Sequence, residues 1–328
     1  MKILVTGGAG FIGSHTCEHL LEQGHFIVNV DNFDSFYSKA RKRRNVEAAK
    51  AHENYRLVEG DFGDRLAMSK LLQEHNFDVV LHLAAQAGVR PSIDDPLKYE
   101  RNNVRNLIAM LEAMRDHGPR KIVAASSSSV YGNTTPSPFR EDAPCMQAAS
   151  PYAASKRAAE IFLATYAGLY DFKVIVLRPF TVYGPRQRPD MAIAAFTEKI
   201  YQNEPIALFG DGSSSRDYTY VSDVVAGITA ALNGFKPETS YTVYNIAGAS
   251  PATLNEVVAQ LEEIIGRKAE VQRMEMPRGD VERTSADITK ARNELGYAPK
   301  VSLKEGLELA VTWVRRELRH ETSTVPKR

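Results

Sequence analysis

Cysteine is scarce in this chain, and so is excess charge of either sign. Two cysteines in 328 residues, Cys17 and Cys145, build no disulfide framework and fit a reducing compartment. With 41 Lys and Arg against 40 Asp and Glu, the formal net charge is +1, so no global field recruits nucleic acid or an anionic membrane. The densest basic run, Lys39-Ala40-Arg41-Lys42-Arg43-Arg44, reads as the wet face of a helix rather than a nucleic-acid patch. No apolar run approaches the ~18 residues of a membrane span. A strand starting at Lys2 leaves no room for an export signal, so a cytoplasmic location is expected. Metal-ligand patterns are missing as well. His15 and His19 stand four apart on one helix, but His15-Thr16-Cys17-Glu18-His19 is not the H-E-x-x-H register, and no metal is expected.

What the chain does have is apolar residues (43%) in a regular order. Short β-rich runs occur at Ile3–Thr6, Phe26–Val30, Tyr55–Val58, Val79–Leu83, Ile122–Ala125 and Val174–Leu177. Amphipathic stretches lie between them near 11–23, 64–75, 97–117 and 152–170. Continuous β runs alternating with helices predict a doubly wound α/β domain around a parallel sheet. After residue 178 the texture changes to a Pro-rich loop, "RPFTVYGPRQRPD", and then to helices near 191–202, 221–232, 253–265, 287–295 and 303–317. The expected organisation is a Rossmann domain over 1–178, with 219–246 packed onto it. The rest of 179–328 forms a smaller α/β cap over the carboxyl edge of the sheet, where ligands bind in such folds. From about His320 the tail is too polar to be expected in the fold.

The first strand runs directly into "TGGAGFIGSH", which puts Gly7, Gly10 and Gly13 between a strand and a helix. That context is what a dinucleotide turn requires: Gly7 turns the chain, Gly10 lets backbone approach a pyrophosphate, and Gly13 packs helix on strand. Amides at the helix start then face the anion. Asp31 ends the second strand, about 20 residues on, where a carboxylate takes the ribose hydroxyls of NAD and repels the 2′-phosphate of NADP. Asn32-Phe33 follow, with no arginine to hold that phosphate, so NAD is the expected cofactor.

Four consecutive serines, Ser126–Ser129, follow the strand "RKIVAA" and precede Val130-Tyr131-Gly132. Read by composition they are a linker; read by position they are a strand end in a site. Further on, Tyr152 and Lys156 share one face of a helix at i, i+4. An ammonium there favours the phenolate of a tyrosine whose unperturbed pKa is ~10.

Together, Gly7-Gly8-Ala9-Gly10-Phe11-Ile12-Gly13, Ser126–Gly132, Tyr152-x-x-x-Lys156 and "FGDGSSSRDYTYVSDV" resemble the extended short-chain dehydrogenase/reductases that act on nucleotide sugars, over about residues 1–317. The resemblance implies a UDP-sugar substrate and a homodimer through a four-helix interface. It implies that Ser127 relays a proton between sugar and Tyr152, with Lys156 as third member. NAD contacts would come from Gly7, Gly10, Phe11, Ile12, Gly13, Asp31, Asn32, the adenine-side pair Asp61-Phe62, and Leu83-Ala84-Ala85. Asn103, Tyr152, Lys156 and Pro179 complete that set. Arg90, Arg216 and Asp280 match positions that hold the diphosphate and uridine ribose, and Phe209 an aromatic beside uracil.

Members that eliminate water carry an Asp-Glu pair after the catalytic hydroxyl; here Ser128 and Ser129 stand there. The reversible hydride step of a C4 epimerase remains. "RPFTVYGPRQRPDMA", with Thr181, and "RGDVERTSADITKA" resemble UDP-glucuronate 4-epimerases. Ser128, Ser129, Thr181 and Arg188 would suit a C5 carboxylate, although Arg188 also suits a diphosphate or the surface. UDP-glucose or UDP-N-acetylglucosamine 4-epimerisation, UDP-glucuronate decarboxylation, and a non-catalytic NAD-binding protein on the same fold are the other readings.

Overall fold

The computed structural model describes residues 1–275, 279, 281 and 283–324. Six strands alternate with helices from the start: β1 Lys2–Thr6, β2 Phe26–Asp31, β3 Tyr55–Glu59, β4 Val79–His82, β5 Lys121–Ala125 and β6 Lys173–Pro179. A seventh, Tyr241–Ile246, joins beside β6. The sheet order is Tyr241–Ile246, β6, β5, β4, β1, β2, β3, and every pairing is parallel.

Successive side chains in a strand point to opposite faces, so an apolar strand supplies two cores at once. Ile3, Val5, Val79, Leu81, Val123, Ile175 and Leu177 pack on one side with Cys17, Leu20, Val224 and Ile228. Leu4, Val28, Val80, Ile122, Val174 and Val176 pack on the other with Leu107, Leu111, Leu163 and Tyr166. The strand order reverses between β1 and β4, and the crevice at their carboxyl ends is where such sheets bind ligands. A separate apolar cluster, including Ile193, Phe196, Ile206, Val257, Leu261, Leu307 and Val311, forms the core of the C-terminal elements.

Two local features differ from the expectations. The helix expected over 97–117 is three pieces: Pro96–Glu100, a wider π turn at Arg101–Arg105, and Asn106–His117. The π turn carries Asn103, whose amide is committed inward: Oδ1 accepts from Gln86 N (2.7 Å), while Nδ2 donates to Gln86 O (2.9 Å) and Ser155 Oγ (2.9 Å). Such bulges are favoured where a side chain must be redirected into a site. The final helix, Leu303–Thr324, runs past His320, where the polar tail was expected to leave the fold.

The helix Phe11–Glu22, α1, lies tight against the turn that precedes it. A Cβ at Gly13 would overlap Gly7 O and stand 2.8 Å from Gly8 Cα, both backbone atoms that cannot swing aside. Gly13→Ala is therefore expected to destabilise the protein by about 1–3 kcal/mol, read from urea midpoints, and to lower NAD affinity in a binding titration.

Candidate functional site

The cofactor end is built by the β1–α1 turn. Gly7 has φ +79°, and a Cβ there would come 2.7 Å from Ala84 Cα, so the turn abuts Leu83-Ala84-Ala85 beyond β4. The N-cap of α1 is Gly10, whose position provides no side-chain cap, and the first turn holds no acidic residue. Its free amides can serve an anion. Asp31 is buried beneath: one oxygen accepts from Ala9 N (2.9 Å), the other from Phe33 N (2.9 Å). It therefore fixes the glycine turn to the end of β2. Asn32 Nδ2 donates to Asp61 Oδ2 (3.4 Å), while Asp61 Oδ1 accepts from Gly63 N (2.8 Å) and Asn106 Nδ2 (3.0 Å). Phe62 is buried edge-on to His82, with ring centroids 5.0 Å apart. Phe11 packs toward the C-terminal cluster and Ile12 toward the sheet. A turn too tight for side chains, uncapped helix amides and a pinned carboxylate together fit a dinucleotide such as NAD.

The serine run follows the end of β5 at Ala125 and leads into a single 3₁₀ turn, Ser128–Tyr131. Ser127 caps that turn: its Oγ accepts from Ser129 N (3.2 Å) and donates to Ser129 Oγ (3.1 Å). Tyr152 opens the helix Pro151–Leu169, whose N-cap Ser150 accepts from Ala153 N at 3.2 Å. Burial pushes the Tyr152 phenol up; a hydrogen bond with Ser127 and the charge of Arg188 act in the opposite direction. One turn along, Lys156 Nζ donates to Ala125 O at 2.7 Å. Burial lowers its pKa to about 8, with Glu160 pulling it back up.

Arg188 pairs with Asp190 through Nε–Oδ1 (3.0 Å) and Nη2–Oδ2 (2.9 Å), and its guanidinium lies 5.1 Å from the centre of the Phe36 ring. Its charge bears on both Tyr152 and Tyr37, which sets it on the Tyr152 side of the molecule. Thr181 follows β6, the neighbour of β5, and its carbonyl accepts from Thr219 N at 3.0 Å. Pro179 is the last residue of β6. Arg90 and Phe209, far apart in sequence, meet with the guanidinium 3.9 Å from the ring centre. Arg216 lies on the strand Ser215–Asp217, and its Nη1 donates to Ser215 O (3.0 Å). Asp280 lies outside the described residues.

Several polar groups at the site escape a reading by local pattern: Gln86 and Ser155, which hold Asn103, and the buried ion pair of Glu160 with Arg178. A signal did exist. Glu160 continues the i+4 series Tyr152, Lys156, and Arg178 interrupts the apolar strand "VIVLRPF". Among the described residues, no group of three or more His, Cys, Asp or Glu could hold a metal, and His15 Nε2 is 2.9 Å from Pro185 O.

A family model described as GDP-mannose 4,6 dehydratase matches residues 4–310. The chain belongs to this family of extended short-chain dehydrogenase/reductases. Within the family it is 39% identical over 316 residues to a UDP-glucuronate 4-epimerase of Thermodesulfobacterium geofontis, covering 96% of each chain. The solved UDP-glucuronic acid 4-epimerase of Bacillus cereus, in complex with UDP-glucuronic acid and NAD, is 36% identical with a TM-score of 0.91, over 97% of this chain and 100% of that one. The UDP-glucose 4-epimerase of Thermotoga maritima, solved with UDP-glucose, is 35% identical with a TM-score of 0.87, again over 97% and 100%.

Because Asp31 anchors the glycine turn and stands where a carboxylate is expected to take the ribose hydroxyls, Asp31→Ala is expected to weaken NAD binding tenfold to a hundredfold, ~1.5–3 kcal/mol, while narrowing the preference over NADP. Calorimetric titration with both dinucleotides measures this. Equal wild-type affinity for NAD and NADP would contradict the role given to Asp31.

Proposed function

We propose that the protein is an NAD-dependent UDP-glucuronate 4-epimerase, interconverting UDP-glucuronate and UDP-galacturonate through a transient 4-keto sugar. The observation that carries this reading is the hydroxyl turn Ser127–Ser129, whose Ser127 bonds Ser129 and opposes the upward push of burial on the Tyr152 phenol, and which is followed by no acid pair. Serine hydroxyls there can bind a carboxylate but cannot drive elimination of water. Arg188, whose charge bears on Tyr152, supports an anionic sugar. The 36% identity to an epimerase solved with UDP-glucuronic acid points the same way.

In this proposal the α1 amides, Asp31, Asn32, Asp61 and Leu83–Ala85 hold NAD, with Lys156 and Pro179 at its reactive end. NAD supplies the reversible hydride acceptor at C4. Tyr152, as phenolate, takes the C4 hydroxyl proton through Ser127 and returns it after the sugar has turned over. Lys156, held protonated, favours that phenolate. The diphosphate and uridine stay with the cap, through Arg90, Phe209 and Arg216, so the keto sugar can rotate without leaving. That sugar is a β-keto acid, which loses CO₂ readily when its carboxylate bond lines up with the carbonyl π system. Ser128, Ser129, Thr181 and Arg188 hold the carboxylate out of that alignment.

The same reading divides the labour between a dinucleotide-binding part, 1–178 with 219–246, and a substrate cap from the rest of 179–328. It also includes a homodimer in the cytoplasm. Exposed Ile161 and Leu169 on the helix Pro151–Leu169 support the dimer. None of the helices among the described residues is long and apolar enough to cross a membrane.

Two outcomes are expected. Tyr152→Phe should lower kcat by about 10²–10⁴-fold with UDP-sugar affinity nearly unchanged. Wild-type kcat/KM should fall above about pH 8, because Lys156 is charged below its lowered pKa of about 8 and neutral above it. A pH–rate series on both proteins tests this pair. Thr181→Val, in turn, should slow UDP-glucuronate epimerisation tenfold to a hundredfold, ~1.5–3 kcal/mol, and raise the fraction released as CO₂. Product analysis with UDP-glucuronate and UDP-glucose side by side reads this. Efficient wild-type turnover of UDP-glucose without UDP-glucuronate would move the assignment to a UDP-glucose 4-epimerase.

A further inference from the structure

Three segments carry the reacting side chains: the end of β5, the helix Pro151–Leu169, and the end of β6. One carboxylate touches all three. Glu160 Oε1 accepts from Ser126 Oγ (2.6 Å) and from Arg178 Nε (2.8 Å), while Oε2 accepts from Arg178 Nη2 (2.7 Å) and Arg157 Nη1 (2.9 Å). Glu160 is 1% exposed and Arg178 2%. Each arm ends close to chemistry. Ser126 precedes Ser127, Glu160 lies one helical turn past Lys156, and Arg178 precedes Pro179 and stands three before Thr181. Glu160, Ser126 and Lys156 also line one small cavity with His82 and Asn103.

A buried ion pair is poor evidence of stability by itself, because well-packed apolar residues often do as well or better. What it adds is direction. Two parallel charge-assisted bonds fix a guanidinium and a carboxylate in plane, whereas apolar packing tolerates sliding. We propose that Glu160, through its bidentate pair with Arg178 and its bond from Ser126, is a positioning residue that locks the strand ends bearing Ser127 and Thr181 to the helix bearing Tyr152 and Lys156. It rests on the epimerase reading for its product test alone; the positioning role applies to whichever sugar is turned over.

The electrostatics agree with the geometry. Burial pushes the Glu160 carboxyl up, but the hydrogen bonds and charge of Arg178 outweigh it, so the group stays ionised. Lys156 is faced by Glu160 on its own helix, Asn103 from the π turn, His82 from β4, and Ala125 O and Ser126 at the end of β5, while Arg178 from β6 reaches it only through Glu160. Burial lowers the pKa of His82 to about 3, so it is neutral there and carries no charge to Lys156. Glu160 is thus the anion that offsets a buried ammonium and a buried guanidinium. Neutralising it should make Lys156 lose its proton more readily, moving the alkaline limb of the rate to lower pH.

The test compares wild type with Glu160→Gln, Ser126→Ala and the double variant Glu160→Met/Arg178→Met. Folding is checked by circular dichroism, and NAD and UDP-sugar affinities by titration. The expected result is affinities within about threefold of wild type, kcat at least tenfold lower in both Glu160 variants and several-fold lower in Ser126→Ala. The alkaline limb moves down in Glu160→Gln, and more CO₂ is released per turnover of UDP-glucuronate. If Glu160→Gln does not fold, the apolar double variant decides on kcat and CO₂, and Ser126→Ala decides if neither folds. A folded variant with wild-type kcat, pH profile and product ratio would overturn the proposal. Wild type inactive on UDP-glucuronate would instead overturn the epimerase reading, and kcat on the sugar it does turn over would still decide the role of Glu160.

Discussion

Burial of the sheet on both faces is the constraint from which the rest of the molecule follows. Strands β1, β4, β5 and β6 spend their side chains on two apolar layers, so polar function is pushed to the strand ends. Because the pairings are parallel, those ends lie along one edge. Gly7, Leu83–Ala85, Ser126–Ser129 and Thr181, separated by up to 174 positions in the chain, all follow the carboxyl ends of these strands. The site is a consequence of where the sheet has nothing left to bury.

That edge needs fixed spacing, and polar groups supply it. Thr6 Oγ1 and His82 Nδ1, 2.8 Å apart, join the ends of β1 and β4. Asn103 ties the π turn to Gln86 and to the helix bearing Tyr152 and Lys156. Glu160 and Arg178 join that helix to β6. In a dry interior such bonds are directional and costly to break, so each one limits how far neighbouring segments can slide. The reacting groups are few, but the groups that aim them are numerous.

The same low-polarity surroundings set the chemistry. Burial alone pushes the Tyr152 phenol up and the Lys156 ammonium down, which opposes the phenolate–ammonium pair that the proposed proton transfer requires. Ser127, Arg188 and Glu160 work against burial from three directions. A tyrosine and a lysine at helical spacing are therefore insufficient without their neighbours, and a non-catalytic protein on this fold would have no use for that combination.

The sequence by itself determined the periodic elements, the parallel doubly wound sheet and the dinucleotide turn, because period, glycine spacing and strand-end position are local properties. It also brought Tyr152 and Lys156 into view through their helical spacing, while the family resemblance singled out Ser127 within the serine run. The tertiary structure alone decided what surrounds them: that Arg90 meets Phe209, that Arg188 acts on Tyr152, and that the serine run is a capped 3₁₀ turn. Only it showed the π turn at Asn103 and the Glu160–Arg178 pair, 18 positions apart and nearly inaccessible to solvent. The physical reason is range. Propensity and periodicity act over a turn or a strand, whereas hydrogen bonds and charges in a buried site join groups that only the packing of distant segments brings within 3 Å or so of one another.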